Sequence, residues 1–200
     1  MHHVFVDSNV LGSRTLYDWL FLLRAQSEMF SLATSLDVLD ESHRVWRRKH
    51  ASAGGDLRQR REKTFRDNFD DILEDWTGGE AVNLKDKDDQ HVHNAAAYCH
   101  ADILLTQNIT DFGDPDVLPY DLYTPDEFFC LAEISSPFVV RDVTQIQNKY
   151  WQTRRARGDS VKGLAQALAD ADCPQFAAFV DEHLKVLAGP IKQRPPARTR

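Results

Sequence analysis

Apolar positions along the chain alternate between two rhythms. Val4-Phe5-Val6 is an uninterrupted apolar run, the pattern of a strand covered on both faces, and it runs into Asp7-Ser8-Asn9, which reads as a loop. From Thr15 to Met29, Leu16, Trp19, Leu20 and Leu23 fall at the spacing of an amphipathic helix. Phe30 to Thr34 reads as a second strand, with Ser35 as the N-cap of a helix reaching about His50. The segment Ala51 to Asp56, which holds Gly54-Gly55, breaks that helix. A charged helical stretch follows to about Trp76 and ends at Gly78-Gly79. The pattern then repeats in kind, with a strand at Ala81 to Leu84 and a helix from Asp88 to His100 carrying Val92, Ala95, Ala96 and Cys99 on one stripe. Ile103 to Leu105 is a further buried strand, leading into Thr106-Gln107-Asn108 and Asp111-Phe112-Gly113. Leu122-Tyr123 adds a last strand before Pro125 opens a short helix. Strands alternating with helices predict an α/β fold around a parallel sheet.

Ser135-Ser136-Pro137 reads as a boundary, beyond which the pattern is purely helical: about Phe138 to Ala156, Val161 to Ala169, and Pro174 to Leu187, with Pro174 at a helix N1 position. This gives an α/β domain over residues 1–134, a helical appendage over 137–188 and a basic, Pro-rich tail over 189–200. An appendage of about 50 residues buries little by itself and is expected to pack on the α/β domain.

At 42% hydrophobic residues the chain can build a sizeable core, but its net charge of −7 runs against the basic balance usual for a nucleic-acid binder. The charge is locally segregated, however: Arg44 to Arg66 holds nine Lys or Arg residues against two acids. Arg47, Arg48, Arg60 and Arg61 are therefore candidate RNA phosphate contacts, with Trp46 and Phe65 nearby for stacking; a solvated helical face would carry the same charges. Cys99, Cys130 and Cys173 lack paired spacing and read as reduced, buried thiols. His91 and His93, two apart on a helix, diverge and read as surface histidines rather than a metal pair. The longest apolar run, Trp19 to Leu23, falls far short of the ~18 residues of a membrane span, and the N-terminus has no leader pattern. A soluble, cytoplasmic protein with no membrane partner is expected.

The acids carry the chemistry. Asp7 and Asp111 follow apolar strands at their C-terminal ends, where open parallel sheets bind ligands, and Asp88 and Asp89 open a helix after a strand. Glu41 lies just outside the apolar half of its helix and can face a cleft. Taken singly, each has a plainer reading: Asp88 and Asp89 as helix-capping acids, Asp111 as a turn residue, Glu41 as a solvated charge. Taken together, clustered carboxylates repel, and a hard divalent cation, Mg²⁺ or Mn²⁺, relieves that repulsion and can promote phosphodiester displacement.

The order of these segments resembles the PIN-domain family over about residues 4 to 132. Val4-Phe5-Val6-Asp7-Ser8-Asn9 resembles its opening strand and acidic turn, Val38-Leu39-Asp40-Glu41 its helix bearing a Glu, and Asp86-Lys87-Asp88-Asp89 with Ala95-Ala96 its third acidic motif. Ile103 to Phe112, read as an apolar strand and then Thr-x-Asn-x-x-Asp-Phe, is the closest match, and Thr124-Pro125-Asp126-Glu127-Phe128 is similar to the closing segment. The resemblance implies a PIN-like three-layer domain with a short central parallel sheet. It makes Asp7, Glu41, Asp89 and Asp111 the metal-site and catalytic acids, supported by Ser8, Asn9, Thr106 and Asn108. Helical geometry leaves Asp88 and Asp89 open; the motif's register favours Asp89 as ligand and Asp88 as cap. The nearest branch is that of VapC-type toxins, which implies an Mg²⁺- or Mn²⁺-dependent endoribonuclease, an RNA substrate and a cognate antitoxin, with a homodimer left open. Two other readings stand beside it, a catalytically silent RNA- or protein-binding module and an Mg-dependent DNA nuclease or phosphatase. Two departures are Ser8, where Thr is commoner, and the C-terminal helices, which lie outside the core pattern.

Overall fold

Val4, Phe5 and Val6 are all inaccessible to solvent, so both faces of their strand are covered, as a central parallel strand requires. The computed structural model describes residues 1–76, 84–160 and 162–189. Its five-stranded sheet runs in the order β3 (Asp71–Leu73), β2 (Phe30–Ser35), β1 (His2–Val6), β4 (Ile103–Leu105), β5 (Asp121–Tyr123), and every pairing is parallel. From β1 the chain builds outward through β2 and β3, then returns to lay β4 on the other side of β1. The crevice at the C-terminal ends of β1 and β4 is therefore the topological switch point of the sheet. Helices flank it: α1 (Ser8–Leu11), α2 (Arg14–Gln26), α3 (Leu36–Lys49), α4 (Gly55–Asn68), α5 (Gln90–Tyr98) and α6 (Pro125–Ser135). The chain ends in α7 (Pro137–Ala156), α8 (Leu164–Ala169) and α9 (Pro174–Ala188).

Two expectations change, and a third lies largely outside the described residues. Asp7-Ser8-Asn9 is not a loop: Asp7 is the N-cap of α1, its carboxylate accepting the Ser8 N–H. The helix expected to reach Trp76 ends at Asn68. Phe69 is extended, and the Asp70 N–H bonds the Leu32 carbonyl at 2.9 Å, which starts the pairing of β3 with β2. The carboxylate of Asp70 also accepts the Leu32 N–H and Arg24, so non-local bonds rather than propensity make this strand. Of the strand expected at 81–84, residues 81–83 lie outside the described residues, as do Gly78, Gly79 and Val161, and Leu84 is not in a strand.

The C-terminal helices share one apolar core with the sheet. Trp19 of α2 and Phe129 of α6 pack on Phe176 of α9, with ring centroids 5.0 and 5.1 Å apart. The buried Asp126 carboxylate receives the N–H groups of Gln175 (3.1 Å) and Phe176 (2.8 Å), capping α9 from α6 and matching its N-terminal dipole. Among the described residues no helix is long and apolar enough to cross a membrane.

Candidate metal centre

The switch point is knitted together first. Asp7, only 2% exposed, accepts hydrogen bonds from the Ser8 N–H, from Asn9 Nδ2 at 2.7 Å and from Thr106 Oγ1 at 2.7 Å. Asn9 Nδ2 also donates to Thr106 Oγ1 (2.9 Å), and its Oδ1 accepts the Gln107 N–H (3.0 Å), so the ends of β1 and β4 are held as one unit. Burial pushes the Asp7 pKa upward; the hydrogen bonds from Thr106 and Ser8 oppose that shift, and the charge of Glu41 adds to it.

A second layer hangs on Asp111, which sits in a 3-10 turn, Ile109–Phe112, anchored by the fully buried Phe112. Its carbonyl oxygen accepts the N–H groups of both Lys85 (3.0 Å) and Asp86 (3.2 Å), which draws the segment before α5 against the end of β4. Asp86 Oδ1 then accepts the Asp88 N–H at 2.9 Å, making an Asx-type turn that delivers Asp89 to the head of α5. The outcome is a cluster in which one carboxylate oxygen each from Asp86, Asp89 and Asp111 lie within 4.8 Å of one another. Asp89 titrates at about 6: burial is the largest cause, followed by the charges of Asp7, Asp86, Asp111 and Glu41. These acids thus share one electrostatic field. Glu41 reaches in from α3, half-exposed, with Oε2 3.5 Å from Nε2 of His91, whose Nδ1 meets the Asp88 carbonyl at 2.8 Å.

Of the four acids expected at the site, Asp89 and Asp111 are in the cluster. Asp7 lies beside it, its carboxylate already occupied by Ser8, Asn9 and Thr106, and Glu41 lines the margin. Asp86 was not foreseen, although the run Asp86-Lys87-Asp88-Asp89 held the signal: an acid two residues before a helix-opening pair is placed to fold back on the backbone N–H. Asp88 is exposed and does not cap the helix; Asp89 holds the N-cap position without a side-chain capping bond, because the Asp86 turn sets the entry. Asn9 and Thr106 support the site with their side chains. Ser8 and Asn108 contribute backbone groups, Asn108 bonding Thr106 Oγ1 through its N–H and accepting the Asp111 N–H at 3.0 Å.

Two further expectations are corrected. His93 is buried, not on the surface, with Nδ1 2.6 Å from the Tyr120 hydroxyl. Arg61 is buried as well: it donates to the Leu11 carbonyl (2.8 Å), Ser42 Oγ and His43 Nδ1, and its guanidinium lies 4.4 Å from the centre of the Phe65 ring. It ties α4 to α1 and α3 and cannot reach a phosphate; Phe65, itself in the core, cannot stack on a base. Arg47, Arg48 and Arg60 are exposed.

The donor set suits a hard cation. Three carboxylates with no thiol or imidazole among them, partly open to solvent, match the oxygen ligands and retained waters of Mg²⁺ or Mn²⁺. A model of the PIN domain matches residues 3–110, more than half of the chain, taking in Asp7, Glu41, Asp86 and Asp89 and stopping one residue before Asp111. Neither the curated proteins nor the solved structures include a significant match to the chain.

Proposed function

Because the chain belongs to the PIN-domain family, whose members are in general metal-dependent nucleases, we propose that it is a metal-dependent endoribonuclease acting at the β1–β4 crevice. The observation that carries this reading is the Asp86–Asp89–Asp111 cluster at the switch point, beside the buried Asp7. Asp86, Asp89 and Asp111 would hold Mg²⁺ or Mn²⁺. Such an ion supplies Lewis-acid stabilisation of charge on a phosphoryl group and lowers the pKa of bound water.

The chain's own groups do the rest. Thr106 and Asn9 fix the Asp7 carboxylate, which adds negative charge behind the cluster and strengthens its hold on a cation. Glu41, steadied by His91, presents a carboxylate on the open side, where it can orient an attacking water. The exposed arginines of α3 compensate the acidic site toward a polyanion.

The test is cleavage of RNA by the parent and by Asp89→Asn and Asp111→Asn, in protein free of contaminating nuclease, with Mg²⁺ or Mn²⁺ added. Both variants should keep their fold by circular dichroism and lose activity by at least roughly a hundredfold. Products should carry 5′-phosphate and 3′-hydroxyl ends, and DNA of the same sequence should be spared. Full activity in either variant would sink the assignment. The finer reading, a toxin held by a cognate antitoxin in the cytoplasm, rests on the VapC-type likeness of the motifs. It is supported by a cleft whose acids a partner's Arg can pair bidentately. Co-purification with the product of the neighbouring gene should give a complex with suppressed cleavage, and failure to associate at micromolar concentration would remove the toxin label.

A further inference from the structure

One face of α3 changes sign as it leaves the carboxylate cluster. Asp37, Glu41, Arg44 and Arg48 recur at three- and four-residue spacing and so lie along one stripe, with Arg47 beside it. Two adjoining clefts flank this stripe on its Arg47 side. The first, of about 540 Å³, is lined by Arg44, Arg47 and Arg58 together with Asp37, Asp40 and His43, and bounded by His91, the residue that touches Glu41. The second, of about 570 Å³, shares those three arginines and adds Arg48, Trp46 and His50. Arg58 is shared with Glu62 (2.7 Å), but among the described residues no carboxylate pairs with Arg44, Arg47 or Arg48.

The far end of the track is a pair of flat rings. The exposed His50 ring lies on Trp46 with centroids 4.8 Å apart and planes 18° from parallel, and its Nδ1 meets the Trp46 carbonyl at 3.0 Å. Trp46 is braced from behind by the Arg61 guanidinium, 5.9 Å from its ring centre, and Arg61 is itself fixed in the core on Phe65. The exposed His50 ring, held flat on the half-buried Trp46 and rimmed by Arg44, Arg47 and Arg48, which pair with no carboxylate among the described residues, is the combination that binds an unpaired base with its flanking phosphates. Trp46 is five residues beyond Glu41, a rise of about 7.5 Å along the helix and a turn of about 140° around it, so a strand cut at the cluster reaches it by passing round α3 over Arg44 and Arg47, beyond the immediate neighbours of the scissile bond.

We infer that the Trp46–His50 pair is a base-stacking subsite, joined to the carboxylate cluster by a phosphate track of Arg44, Arg47 and Arg58, and that it sets which bond the enzyme cuts. This deepens the nuclease reading and rests on it for the identity of the strand. An acidic protein segment could use the same arginines, but it has no need of an open ring face.

The test is binding of short, fluorescently labelled oligoribonucleotides in EDTA, each carrying one abasic residue at successive positions, to the full chain. In the parent, loss of one particular base should weaken binding on the order of tenfold. In the Trp46→Leu/His50→Ala double variant, intact oligonucleotide should bind about tenfold more weakly, and the same abasic position should cost nothing further. His50→Phe, which keeps a flat ring, should bind like the parent, separating stacking from any disturbance of α3. Melting of each variant reports whether the fold is kept. The inference is overturned if no position shows this masking, if His50→Phe binds as poorly as the double variant, or if no oligonucleotide binds while an acidic protein does. Cleavage of the same oligonucleotides with Mn²⁺ separates the two readings. Masking without cleavage leaves the subsite and removes the nuclease; cleavage without masking does the reverse.

Discussion

Arg61 is the residue whose role differs most from its place in a basic run. Three acceptors and the face of Phe65 surround its guanidinium, and burial lowers its pKa, although Nε finds no partner among the described residues. Arg61→Ala would strand the Leu11 carbonyl and Ser42 hydroxyl in the interior. We expect it to cost about 2–3 kcal/mol, read as a lower melting temperature; a loss below about 0.5 kcal/mol would contradict this account. His93 gives a pH prediction. Burial lowers its pKa, so the folded state holds it neutral beside Tyr120 while the unfolded chain protonates at its ordinary value. Its stabilising contribution is therefore complete above pH ~6.5 and is lost as pH falls from there toward the lower folded value. Melting temperature should drop more steeply between pH 7 and 5 in the parent than in His93→Phe; parallel slopes would clear His93.

Among the elements, α9 shows how a helix is fixed by another. Pro174 begins it, no side chain of its own caps it, and its N-terminal N–H groups turn instead to Asp126 on α6. Asp126→Ala should cost about 1.5–3 kcal/mol, since charge-assisted bonds to buried N–H groups are among the stronger ones. Hydrogen exchange should speed up first in the opening turn of α9. Asp126→Asn, which can keep one acceptor, should lose about half as much. Unchanged exchange in α9 would mean that apolar packing through Phe176 alone holds the helix. The edge strand β3 makes the converse point: only three residues long, it exists because Asp70 and Leu32 bond each other twice across the strands.

For the molecule as a whole, site and stability pull in opposite directions. Without a cation, Asp89 must ionise among four other acids, and its pKa of about 6 means that the charged form is disfavoured in the fold. The sign follows directly. Above that pH Asp89 makes the metal-free fold less stable, and the penalty eases as pH falls from about 6 toward the ordinary aspartate value of 3.8. In EDTA at neutral pH, Asp89→Asn should therefore melt higher than the parent, by roughly 2–4 °C for each kcal/mol relieved. Mg²⁺ or Mn²⁺ at a hundred times its Kd should stabilise the parent by about 2.7 kcal/mol, and Asp89→Asn or Asp111→Asn by less, so the order narrows or inverts. Asp88→Asn, with its side chain outside the cluster, should respond like the parent. Equal responses in all of these proteins would mean that the acids do not form one site.

The apolar runs at Val4–Val6 and Ile103–Leu105 were sufficient by themselves to mark central parallel strands, because a strand buried on both faces has no place for a polar residue. The acids at their ends were legible for the same reason: Asp7 directly after Val-Phe-Val has no packing role there. What pattern could not reveal is whatever depends on residues far apart in the chain. β3 was hidden because its pairing partner lies some forty positions away, and Asp86 because its place is set by the Asp111 carbonyl rather than by its neighbours. Arg61 and His93 looked like surface residues because charge and spacing on one helix do not reveal what packs against it. Local pattern therefore marked the central strands and the kinds of groups at their ends. Only the tertiary structure decided which carboxylates meet and which cations stay in water, since burial and long-range hydrogen bonds are properties of the assembled fold.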